Sequence, residues 1–336
     1  MKSIAKGAFS GCSTLLGLSL PETITTLDDE ALEGCDNLLA LRWNAEKALP
    51  TEALSDVYAT NPNFLLYVKD KAYAPSDIKN VVVNGTAETV ILSEANSGNS
   101  FYCPWPFTAK SIQLTHRYGM TSGYQACQGW ETIALPFDVT AVFSDTGAEL
   151  VPRKTWTHGD KANTPYIISM PNNVEHYDEE YNVSGDVTFV GANVRVKASD
   201  DLVTGQYGQR RFLPSFQYKE ANYGIFALNV SNQWDQYASG TYQPDSTFIR
   251  ALRPIHPFEA YMAVEGTNAP QYIPVFDSNE ETGIRDVLLR KTTSHASWYT
   301  LDGRKLQGHP TQKGLYITSN QFFKNSEGVM PKYFLN

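Results

Sequence analysis

The sequence predicts a mainly β protein: a short leucine-rich-repeat solenoid, an antiparallel β-sandwich region and a small C-terminal β-module. Three observations predict it. Residues 4–43 repeat themselves with a shift of 23. From residue 78 onward, short apolar runs recur about every ten residues with turn chemistry between them. Near the end, two apolar runs flank Asp302-Gly303, a two-residue hairpin signal. The expected domains are residues 1–77, 78–277 and 278–336, and 78–277 is expected to fold without the repeats.

The repeat rests on matched positions. Ile4 falls on Leu27, Ala8 on Ala31, Phe9 on Leu32 and Gly11 on Gly34. Cys12 falls on Cys35, Leu15 on Leu38 and Leu18 on Leu41. Such a period, with Leu15, Leu18 and Leu20 in Leu-x-x-Leu-x-Leu spacing, reads as stacked coils. The three leucines point inward from a short strand and its approach. Pro21 ends that strand, because proline cannot donate to a ladder. Ala8 and Phe9 return behind it on a helical turn, and Gly11 allows the tight reversal before Cys12. One coil cannot bury its own apolar face, so at least about three must stack. A degenerate third coil is expected where Asn61, Asn63, Phe64 and Tyr67 match Cys35, Asn37, Leu38 and Leu41 at a spacing of 26. Pro62, Pro75 and a turn at 74–77 place the end of the array.

Beyond it, strands are expected at 81–83 and 88–92 around the Asn84-Gly85 turn, and at 101–103 before Pro104 and Pro106. Residues 111–118 alternate, with Ile112 and Leu114 on one face. Residues 129–139 read as a central core strand. Others are expected at 166–170, 187–190, 194–197, 224–229, 248–250 and 258–264. A polar linker at 278–297 leads to strands at 298–301, 304–307 and 314–317.

Aromatic residues make up 12% of the 336 and charged residues 19%, so the chain can bury a sizeable core. The net charge is −9, and no basic cluster exceeds two neighbours, as at Arg210-Arg211. That argues against nucleic acid or an anionic membrane as partner. No apolar run approaches the roughly 20 residues of a spanning helix, so no transmembrane segment is expected. No secretory h-region follows Met1-Lys2. A solenoid normally starts with a cap, so a chain that begins in mid-array is expected over a cytoplasmic protein.

No catalytic residue, metal ligand or cofactor is predicted. The six histidines lack metal spacing, and no Cys-x-x-Cys, Gly-x-Ser-x-Gly or phosphate-cradling loop occurs. Cys12 and Cys35 share a slot in adjacent coils, about 4.8 Å apart, where a disulfide is conceivable and small buried thiols are the expected reading. Cys103 and Cys127 remain open as a pair. The acidic runs 178–180 and 200–201 lack the turn glycine of a calcium loop and read as solvated loops.

Two kinds of binding residue stand out. Trp105, Trp130, Trp156, Trp234 and Trp298 raise a carbohydrate reading, since aromatic faces stack on sugars. Trp130 fits a core, whereas Trp156 and Trp234 lie in polar surroundings and are the candidates. Ser19 and Arg42 sit beside inward leucines and must point outward from the coils.

The pattern Ala-Phe-x-Gly-Cys-x-x-Leu-x-x-Leu-x-Leu-Pro at 8–21 resembles the BspA-like leucine-rich repeats of bacterial surface proteins. The second copy departs at Leu32 and at Trp43-Asn44. Residues 101–104, 129–137 and 258–261 resemble an uncharacterised β-rich region that follows repeats in secreted proteins of gut and oral anaerobes. The run from Tyr299 to Leu306, with 313–317, resembles the small C-terminal β-module of secreted Bacteroidetes proteins, akin to type IX sorting tails. It departs over 321–336, which lacks the short basic closing strand. The resemblance implies a non-enzymatic, extracytoplasmic protein, secreted or at the cell surface. It implies adhesion or protein–protein interaction with host, matrix or bacterial surface proteins. A carbohydrate-binding protein that takes a glycan and a hydrolase of unrecognised type are the alternatives.

Overall fold

The structure is a computed structural model that describes residues 2–50, 52–54, 61–94, 99–117, 130–149, 161–169, 186–207, 209–229, 247–264, 270, 272–274, 297–300, 315–319 and 332–335. It is mainly β, with a single short 3-10 turn at Lys71–Tyr73 among the described residues. The first strands are β1 (Ser3–Ile4), β2 (Gly17–Leu20), β3 (Thr26–Leu27), β4 (Ala40–Trp43), β5 (Leu65–Val68) and β6 (Asn80–Val83). Next come β7 (Thr86–Ser93), β8 (Phe107–Arg117), β9 (Trp130–Leu135), β10 (Ala141–Phe143), β11 (Thr164–Ser169) and β12 (Asp186–Val196). They are followed by β13 (Gly205–Tyr207), β14 (Arg210–Pro214), β15 (Ile225–Leu228), β16 (Thr247–Arg250), β17 (Ala260–Val264) and β18 (Tyr272–Pro274). The last are β19 (Ser297–Thr300), β20 (Leu315–Ser319) and β21 (Lys332–Leu335).

The coils stack as the leucine period predicts. β2, β4, β5 and β6 are parallel neighbours, with Leu18 opposite Leu41, Leu41 opposite Leu66, and Leu66 opposite Val81. The solenoid-like stacking runs to about five turns. The third coil corrects the expected alignment by one residue: Leu66, not Tyr67, stands opposite Leu41. The turn keeps its match, since Phe64 N–H bonds Asn61 O as Leu38 N–H bonds Cys35 O. One residue fewer then separates turn from strand. A one-residue slip exchanges the two faces of a strand. Here that is tolerated because every residue of β5 is buried.

Two cores explain that burial. Leu41, Trp43, Leu66, Val68 and Val81 point into the solenoid, against Leu32, Leu38 and Phe64. Ala40, Leu65, Tyr67 and Val82 point the other way, into a core shared with Phe101, Ile112, Phe137, Phe189 and Phe258. The sheet carrying them has eight strands in the order β2-β4-β5-β6-β7-β8-β12-β10. It crosses residue 77 without a break, with Leu65 beside Asn80.

The Asn84-Gly85 turn forms with both φ angles positive, 47° and 79°, as a two-residue primed hairpin requires. Only Val83 and Thr86 pair across it; β7 then runs parallel to β8. Asparagine side chains take over the missing rungs. Asn80 Oδ1 accepts from Ile91 N–H (2.8 Å), and its Nδ2 donates to Ile91 O (3.2 Å). Asn63 does the same at Ser93, with 2.8 Å in both directions.

Several expected strands are corrected. Residues 101–103 cross the sheet as irregular chain. Phe101 N–H donates to Phe216 O (2.7 Å), and Cys103 exchanges bonds with Ser199 instead of joining a ladder. The run at 129–139 yields β9, which is a terminal strand rather than a central one, in the order β9-β11-β21-β20-β19. Its outer edge is covered: Ala134 N–H donates to Phe258 O (2.7 Å), and Ala260 N–H to Thr132 Oγ1 (3.1 Å). The runs at 187–190 and 194–197 are one continuous strand, β12. Gly191 lies within it, where a Cβ would meet Phe137 Cδ2 and Asp138 O at 2.7 and 2.9 Å.

A six-stranded antiparallel sheet, β13-β14-β17-β15-β16-β18, has its own core of Phe212, Phe226, Phe248 and Met262. β19 pairs with β20 and β20 with β21, which runs parallel to β11. A strand, Lys332–Leu335, therefore lies within 321–336, and it joins the sheet of β9 and β11. The Asp302-Gly303 turn and the strand expected at 304–307 lie outside the described residues. No described helix is long and apolar enough to cross a membrane.

Candidate functional site

Alternation along the coils places Ser19 and Arg42 on the face opposite the solenoid leucines. The register sets Ser19 beside Arg42, and Arg42 beside Tyr67. The sequence predicts an open face here. The structure corrects this, because the chain leaving β7 returns across it at 101–107. The Trp105 ring meets Tyr67 edge-on at 88°, with centroids 5.2 Å apart. Tyr67 O–H donates to Trp105 O (2.9 Å) and lies 3.5 Å from Cys103 Sγ. Tyr102 and Pro104 lie over Gly17, where an added Cβ would meet them at 3.2 and 3.4 Å. A larger residue in β2 would make Tyr102 and Pro104 give by a few tenths of an ångström.

Arg42 fills the remaining space. Its guanidinium carbon is 4.1 Å from the Trp105 ring centre and 5.5 Å from that of Tyr67. The side chain is half-buried, whereas Ser19 is exposed. Burial lowers the Arg42 pKa, and among the described residues no carboxylate forms an ion pair with it. Beneath it, burial pushes the Cys103 thiol up to about 11 and the Tyr67 hydroxyl far above the phenol range, so both stay neutral. Asn44 Nδ2 donates to Leu20 O (2.6 Å) and reaches Ser19 Oγ at 3.4 Å. β2 is the last strand of its sheet, so its outer edge has no strand partner among the described residues. The arrangement is an oriented cation on an aromatic shelf, beside a hydroxyl and an open strand edge.

Other sequence candidates fall elsewhere. Trp156 and Trp234 lie outside the described residues. Trp130 and Trp298 are in β9 and β19. Cys12 is an exposed thiol and Cys35 a buried one that donates to Phe9 O at 3.2 Å, so they are not bridged. Cys103 is also free, and Cys127 lies outside the described residues. The run 178–180 is outside as well, and Asp200 and Asp201 are exposed.

Two polar pairs were not foreseen. His116 Nδ1 lies 2.8 Å from Glu94 Oε1, but its ring is 2% exposed, too closed to meet a substrate. Arg253 and Glu259 pair at 2.8 Å with side chains equally buried, and Glu259 also accepts from His256 N–H (3.1 Å). Both pairs pin chain segments to the core. The partners of Arg42 were also missed. The aromatic and proline run at 101–106 was the available signal, but it read as a strand.

No protein-family profile, no curated protein and no solved structure matches the chain.

Proposed function

We propose that the chain is a non-enzymatic binding protein that engages a protein partner through the outer strand face of its first coils. The observation that carries this is Arg42. A half-buried guanidinium held on Trp105 and Tyr67, with no anionic partner among the described residues, keeps its donors oriented for a ligand. Stacking of this kind contributes about 0.5–1 kcal/mol when exposed and about 2 when desolvated, enough to fix the side chain but not to satisfy its hydrogen bonds.

The repeat pattern at 8–21 supports a BspA-like surface or secreted protein, with a host, matrix or bacterial surface protein as partner. The core that joins the eight-stranded sheet to Ile133, Leu135 and Tyr166 supports a sandwich for the middle region. The test is a panel of matrix and bacterial surface proteins beside a glycan array, probed with the purified chain. Protein binding that is lost in Ser19→Glu/Arg42→Glu, with the far-UV circular dichroism retained, is the expected result. Glycan binding lost only in Trp156→Ala/Trp234→Ala would overturn it in favour of a carbohydrate-binding protein.

A further inference from the structure

We infer that Arg42 receives a carboxylate side chain from an acidic segment of the partner, docked across Ser19. This rests on the binding reading above and adds the chemistry of the ligand.

The group to be recognised follows from the guanidinium. It offers up to five donors in a planar fork that matches a carboxylate with two parallel hydrogen bonds. Among the described residues Arg42 is the cation stacked on the shelf rings, beside Ser19, Tyr67 and Trp105, and the further cation felt nearby is Arg195, which acts on Cys103 beneath the shelf. One positive charge balances one carboxylate, whereas a doubly charged phosphate would be left half-compensated. The chain has a net charge of −9, and among the described residues no carboxylate forms an ion pair with this half-buried arginine.

The choice of a peptide over an acidic sugar follows from the rings. Arg42 already covers one face of Trp105, and Tyr67 is buried and meets that ring by its edge. The aromatic surface therefore serves the arginine. A peptide can in addition use the outer edge of β2 beside Ser19, which has no strand partner among the described residues, since an extended segment adds to an open strand by main-chain bonds. The Ser19 hydroxyl supplies a further donor to the same carboxylate.

The probe is a fluorescein-labelled deca-glutamate peptide, with deca-glutamine and polygalacturonate as comparisons. The full chain should bind the glutamate peptide at least about tenfold more tightly than the glutamine one, as expected for charge-assisted pairs. Arg42→Gln should weaken it about tenfold, and Arg42→Lys by less, because charge remains without the fork. Should Arg42→Gln fail to fold, phenylglyoxal labelling of the unaltered chain serves instead. Bound glutamate peptide should then protect Arg42 from modification. Equal binding of both peptides, an unprotected Arg42, or capture of polygalacturonate in place of the glutamate peptide would each overturn the inference. The two readings fail separately. If panel proteins lose binding with Ser19→Glu but keep it with Arg42→Gln, the carboxylate site falls and the strand-face reading stands.

Discussion

Leu18 and Leu41 occupy the same slot of the repeat and pair directly, yet their surroundings differ. Leu41 lies between β2 and β5 and is 0% exposed; Leu18 lies on the terminal strand and is half-buried. Leu41→Ala should therefore cost about 2–5 kcal/mol, the usual cost of emptying a core leucine site. Leu18→Ala should cost roughly 1–2 kcal/mol, in proportion to the smaller apolar area it removes from water. Urea midpoints of the two variants check this. Equal losses would mean that the first coil is covered as fully as the second. The inward direction of both leucines was legible from local period alone. Their unequal burial was not, because it depends on which strand ends the sheet.

At the scale of elements, β7 shows how a strand is joined to a solenoid. The side-chain amides of Asn63 and Asn80 replace backbone rungs at Ser93 and Ile91. Both asparagines are buried, so truncation removes the partners of part-buried backbone groups. Asn63→Ala and Asn80→Ala should each cost about 1–3 kcal/mol, the penalty of unsatisfied buried polar groups. Amide exchange at Ser93 and Ile91 should speed up in the matching variant. Unchanged exchange would show that β8 alone holds β7 in place. Asparagine in a sequence signals turns, and Asn84 behaves so. Nothing local to Asn63 names a partner 30 residues away.

For the whole molecule, the decisive fact is the continuity of the sheet across residue 77. Tyr67 and Leu65 share a core with Phe107 and Ile112, and Asn80 bonds to Pro62 O at 2.9 Å. A fragment of residues 78–336 would expose Trp105 and Phe107 where Tyr67 covered them. It should unfold without a cooperative transition in urea, as read by circular dichroism. A sharp transition would show that the middle region is stable by itself, as its turn spacing alone suggests.

The sequence by itself determined the coils and their inward leucines, the Asn84-Gly85 turn, and the outward direction of Ser19 and Arg42. Each follows from a short period or from the backbone freedom of one or two residues. Tertiary structure alone decided what lies on that outward face. Residues 101–107 settle there because Gly17 leaves room, Tyr67 binds the Trp105 carbonyl and Ser199 holds Cys103. These contacts join positions distant in the chain. No local pattern encodes them, and they turn an exposed arginine into one held on an aromatic shelf.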